Sequence, residues 1–126
     1  MRTNELRAQL TDVLAPLKNA FKLKEVAYRH AEDTKMFPHV TWEIVAVDVT
    51  DMNRRDYTVD IDIYTEDDQV TAMDIADAVE DLFNNANMPE DPILPTYFLI
   101  TRQSVEDTDK NIKHEVIRVQ AQLYEA

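Results

Sequence analysis

Between Asp56 and Asp68 the chain reads DYTVDIDIYTEDD, apolar and polar residues changing places at each step until acids accumulate. A period of two puts Tyr57, Val59, Ile61 and Ile63 on one face of a strand and Thr58, Asp60, Asp62 and Tyr64 on the other. One face calls for a core, and the other displays carboxylates. Upstream, Leu6, Leu10, Val13, Leu14 and Leu17 recur at helical spacing. This predicts an amphipathic helix from Thr3, with Thr3 as its cap, that stops or kinks near Ala15 because Pro16 has no amide to donate. Residues 24–30 alternate through Val26, Tyr28 and His30 and predict a short strand, followed by a loop. Residues 40–49, VTWEIVAVDV, are β-branched and change phase midway, with Trp42 and Ile44 on one parity and Val45, Val47 and Val49 on the other. Either both faces are covered or a bulge switches the phase, and the bulged strand is the favoured reading. TDMNRR then connects it to its antiparallel partner, with Met52 to Arg55 at the tip.

Ala72, Ile75, Ala76, Val79, Leu82, Phe83 and Ala86 form one stripe of a helix over 69–86, with Asp67 and Asp68 placed to cap it. Asp74, Asp77, Glu80 and Asp81 project away from most of that stripe, and no basic residue accompanies them. MPEDPILP is a proline-punctuated loop. Residues 96–104 predict a strand, 105–111 a turn and 112–124 a long last strand with Ile117, Val119, Ala121 and Leu123 on one side. The order helix, strand, hairpin, helix, hairpin predicts an α+β fold: a mostly antiparallel sheet of about four to five strands with two helices packed on one face. At 126 residues the chain fits one domain, 1–126.

Composition removes more functions than it supplies. Glycine is absent, against a usual share of about 7%, so the standard dinucleotide fingerprints, phosphate loops, nucleophile elbows and EF-hand loops are excluded. With no cysteine there is no disulfide framework, thiolate metal site or thiol nucleophile. No apolar run approaches the roughly 18 residues of a membrane span, and the charged N-terminus is no secretory signal. An intracellular origin is the natural expectation. Net charge is −12, and its distribution matters more than its total: residues 38–100 hold two basic and fifteen acidic side chains. Such a chain repels nucleic acid rather than gripping it.

Asp60 and Asp62, followed by Glu66, Asp67 and Asp68, offer oxygen ligands to a hard cation and so raise a small metal-dependent phosphohydrolase as one reading. No lysine occurs between Lys35 and Lys110 to assist it, and a solvated acidic sheet face is the plainer account. His30, His39 and His114 lack the spacing by which two imidazoles share a metal on a helix. Ser104, the only serine, has no nucleophile motif around it. Trp42 and Phe98 read as core. No catalytic residue, metal ligand or cofactor is assigned. Met52, Arg54 and Arg55 combine an apolar residue with two guanidinium groups, a composition enriched at protein contacts. The acidic helix gives a further reading, an acidic module that docks a basic partner in the manner of a nucleic-acid mimic.

The N-terminal amphipathic helix, the Pro38-led strand through Trp42, the segments RRDYTVDIDIY and TAMDIADAVEDLF, and the final HEVIRVQAQLYE together resemble the tail-terminator, or tail-completion, proteins of long-tailed bacteriophages. That resemblance implies a non-enzymatic subunit of the virion tail, assembled in the host cytoplasm. It implies a homo-oligomeric ring, hexameric in the family, that caps the tail tube and meets the head connector, with DNA as a passing cargo. Under it, Asp60, Asp62 and Glu43 become candidates for an acidic ring lumen, and the Met52 to Arg55 loop a candidate for subunit or tube contact. Charge asymmetry adds a head-to-tail pairing in which Lys18, Lys22, Lys24 and Arg29 meet Asp74, Asp77 and Asp81 of a neighbour.

Overall fold

Leucine spacing near the N-terminus becomes helix α1, Arg2–Leu14, and Pro16 opens a separate short helix α2, Pro16–Ala20. Pro16 sits in the first turn of α2, where its missing N–H costs nothing. Ala15 still donates to the Thr11 carbonyl at 3.0 Å, so the chain bends at the proline without losing its path. The predicted break at Ala15 is therefore observed. The predicted cap is not: α1 already includes Thr3, which lies inside the first turn rather than ahead of it. A computed structural model describes residues 2–21, 23, 25–28, 37–51, 54–66, 68–86, 95–106 and 111–124.

The strands are β1 Glu25–Tyr28, β2 His39–Asp51, β3 Arg54–Glu66, β4 Thr96–Glu106 and β5 Ile112–Tyr124, with helix α3, Gln69–Ala86, between β3 and β4. They form one sheet in the order β1-β2-β3-β5-β4. β1 runs parallel to β2, and every other neighbouring pair is antiparallel. The α+β architecture with a mostly antiparallel sheet is as the sequence predicts. Ladder pairing reaches Asp51 opposite Arg54, so Arg54 and Arg55 belong to β3 rather than to a loop tip. β-branched Val47, Val49 and Thr50 favour continued pleating up to the turn. Met52 lies outside the described residues.

Period-two alternation in β3 and β5 delivers one apolar face. Tyr57, Val59, Ile61 and Ile63, with Ile117, Val119, Ala121 and Leu123 across from them, are buried in a single core with Leu6, Leu10, Leu14 and Leu17 of the N-terminal helices. From α3, Ala72, Ile75, Ala76, Val79 and Phe83 enter the same core, with Leu82 and Ala86 partly buried against it. Each fully buried Leu, Ile or Val contributes about 1.5–3 kcal/mol relative to exposure. Asp68 caps α3: the Thr71 amide donates to Asp68 Oδ1 at 2.8 Å, and the Thr71 hydroxyl donates to Oδ2. These bonds, the hydroxyl's first, hold the Asp68 carboxyl below its usual range. Asp67 lies outside the described residues.

A register shift between Ile44 and Ala46 makes Val45 the bulge residue predicted in β2. Val40 and Trp42 are buried before it, whereas Val45, Val47 and Val49 are exposed. Phe98, read from the sequence as core, is 45% exposed. The register explains it: Tyr97 pairs with Ala121 on the core side, so Phe98, opposite Gln120, faces away.

Candidate functional site

The helices cover one side of the sheet, and the other side is organised in rows by strand register. In one row His39 pairs with Tyr64 and Tyr64 with His114. Their rings stack, His39 on Tyr64 at 4.7 Å and Tyr64 on His114 at 4.2 Å between centroids, and Phe37 extends the series beside His39 at 5.2 Å. Two of the three histidines that look scattered in sequence thus meet on one tyrosine, in a stacked row rather than a ligand set. His30 lies outside the described residues.

The carboxylates follow the same grid. Glu43 stands opposite Asp60, and Asp60 opposite Arg118. The Arg118 guanidinium donates to Asp60 in bidentate fashion, Nε to Oδ1 at 2.7 Å and Nη2 to Oδ2 at 3.0 Å. Asp60 in turn raises the Arg118 pKa through this hydrogen bond and its charge. Asp62 Oδ1 shares a 2.7 Å hydrogen bond with His114 Nε2. Arg54 forks onto Asp56 at 2.9 and 3.0 Å. The three candidates Glu43, Asp60 and Asp62 therefore share one face, but Asp60 and Asp62 are held by cationic or imidazole partners that sequence reasoning left unassigned. Only the register of β5 against β3 could have supplied them. Among the residues whose side chains are described, six carboxylates of this face, Glu43, Asp48, Asp56, Asp60, Asp62 and Glu66, outnumber its two guanidinium groups, Arg54 and Arg118.

The chemistry this permits is narrow. Asp60 is spanned by a guanidinium and Asp62 is tied to an imidazole, and among the described residues no group of three or more His, Asp or Glu is arranged to hold a metal ion. Asp60 and Asp62, the leading ligands of the metal-dependent phosphohydrolase reading, are engaged instead by Arg118 and His114. Ser104 donates its hydroxyl to Glu115 Oε1 at 2.7 Å, and Gln69 Nε2 donates to the same oxygen at 2.6 Å. This part-buried knot around Glu115 ties β4 and α3 to β5.

The interface candidates divide. Lys18 is exposed on α2, and Asp74 and Asp81 are exposed on α3. Asp77 is already engaged by Arg102 of β4, which also donates to the Met73 carbonyl at 3.2 Å and lies 3.6 Å from Glu80. Asp77, ahead of the other causes, raises the Arg102 pKa. So the acidic face of α3 does meet a cation of its own chain, one that strand β4 brings from 25 residues away. Arg54 is bound to Asp56 and Arg55 is half-buried. Lys22, Lys24 and Arg29 lie outside the described residues. Among those residues no helix is long and apolar enough to cross a membrane.

Among the described residues, the uncovered face of this helix-backed, mostly antiparallel sheet carries hydrogen-bonded carboxylates and a stacked row of rings. The family model described as "Tail completion protein gp17" matches residues 6–124. The chain belongs to that family of phage tail-completion proteins, a structural family and not a class of enzymes. Two solved structures share its fold. The gp17 protein of bacteriophage SPP1 is 17% identical, with a TM-score of 0.65 over 97% of this chain and 91% of that one. A chain from the virion of a native gene transfer agent particle is 13% identical, with a TM-score of 0.61 over 86% of this chain and 84% of that one. No curated protein matches the chain in sequence.

Proposed function

We propose that this chain is the subunit of a ring, hexameric by the family resemblance, that caps the end of a phage tail tube and joins it to the head connector. The observation that carries the reading is the family match across residues 6–124, and the likeness to a chain of an assembled virion supports it. In this role the protein performs no reaction and takes no cofactor. Its partners are further copies of itself, the tail-tube protein and the connector. The bare sheet face, with its surplus of carboxylates, lines the passage, where like-charge repulsion keeps DNA from adhering to the wall. Arg118 and Arg54 make that face less acidic than its carboxylates alone, so the repulsion is moderate and patterned.

Mixing the purified chain with tubes of its own tail protein tests this. Electron microscopy is expected to find one ring at the end of each tube and no further elongation. Tubes that grow on with naked ends at saturating protein would overturn it.

A further inference from the structure

Among the described residues the sheet ends in the short strand β1 on one margin and in β4 on the other, and two longer stretches of strand edge have no strand against them. β4 is the last strand in the order and has no strand along its far side. On the opposite margin β1 pairs only with His39, Val40, Thr41 and Trp42, so residues 44–51 of β2 form a second open edge. Such edges present unpaired N–H and C=O groups and are normally blunted by Lys, Pro or an outward charge. β4 contains neither Lys nor Pro; its one arginine, Arg102, is turned onto α3, and its one acid, Glu106, stands at its very end opposite Lys113. Phe98, Leu99 and Ile100 are instead about half exposed on it, as are Val45, Val47 and Val49 on β2.

We propose that these two edges are made for each other in successive copies of the chain. β4 of one subunit adds as an antiparallel strand to residues 44–51 of the next, and the sheet runs on through the contact. The proposal deepens the ring reading and rests on it.

Strand direction supports this join. β2, β3, β5 and β4 alternate in direction, and they are four. A copy rotated about an axis along the strands therefore presents its β2 antiparallel to the first copy's β4, and each later junction repeats the first.

Charge selects the same pairing. On the bare face β4 presents Thr96, Phe98, Thr101, Gln103 and Val105, all uncharged, while β2 presents Glu43 and Asp48. Joining β2 to β2 would set acid against acid, which destabilises directly opposed pairs. Joining β4 to β4 would leave the valines of β2 bare, whereas the head-to-tail join covers both patches with one occupant. Each edge also carries a bulge, at Val45 and between Leu99 and Thr101. Bulges bend a sheet in the way closure requires.

The cysteine-free sequence allows a direct test. Val47→Cys and Leu99→Cys are made in separate chains and in one chain, assembled on tail tubes, and treated with a short bismaleimide. The separate chains mixed together are expected to cross-link as dimers, neither alone is expected to link, and the doubly substituted chain is expected to give a ladder up to the full ring. A paired Val47→Lys, Val49→Lys variant is expected to lose capping with its melting temperature unchanged, because both sites are exposed. Dimers from Leu99→Cys alone would overturn the proposal in favour of a two-fold β4 contact. Capping by the wild type together with equal capping by the lysine variant, or with no cross-link from the mixture, would overturn edge pairing while leaving the ring intact. Failure of the wild type to cap tubes at all would overturn the ring reading and this inference with it.

Discussion

The two faces of β3 and β5 differ by a one-residue step and by almost everything else. On the helix side, Val59, Ile61, Ile63 and Ile117 are wholly buried. One residue away on the same strands, Asp60 meets Arg118 in an exposed contact and Asp62 meets His114 in a part-buried one. Burial dominates the energetics of the first face because apolar area removed from water counts in full there. On the second, ion pairs in high dielectric contribute little. The fold is set by the covered face, which leaves the bare face available for function at small cost to stability.

Substitutions that leave one face untouched sharpen this contrast. Ile61→Ala opens a cavity at a fully buried position and is expected to cost about 2–5 kcal/mol, read from urea unfolding. Glu115 is buried, and Glu115→Ala leaves Gln69 and Ser104 without their shared acceptor. The expected loss is about 1–3 kcal/mol by the same measurement, with protection of β4 amides from exchange falling first. Arg118→Ala on the bare face is expected to cost under about 1 kcal/mol, while nearby Asp60 loses its counter-charge. A stability loss from Arg118→Ala equal to that of Ile61→Ala would break the contrast.

The smallest effect is one of pH. Because Asp68 is held below its usual carboxyl value, its cap contributes fully above that value and is lost as pH falls through the folded one. The difference in melting temperature between wild type and Asp68→Ala is therefore expected to be constant near neutrality and to shrink below about pH 4.

Much of this was legible in the chain itself. The alternation of β3, the stripe of α3, the break at Pro16 and the bulge at Val45 are local signals, fixed by residues within a few positions of one another. Phe98 was not legible, because the face it takes depends on Tyr97 pairing with Ala121 across a hairpin. The partners of the acids were hidden for the same reason. Arg118 lies 58 residues from Asp60, and His114 lies 52 from Asp62. Arg102 reaches Asp77 only because β4 lies beside α3. Long-range register creates the bare face's charge pattern, so a count of acids along the chain overstates how acidic that face is.

Infectivity of phage carrying Glu43→Gln, Asp60→Asn and Asp62→Asn together bears most directly on the claim that the bare face works while the covered face folds. These changes remove charge at near-constant shape and deprive Arg118 of its carboxylate, which in the proposed lumen would leave a cation to hold passing phosphate. Tails capped in normal number, an unchanged melting temperature and a titre reduced by about tenfold or more are expected. Normal titre with normal capping would contradict the claim.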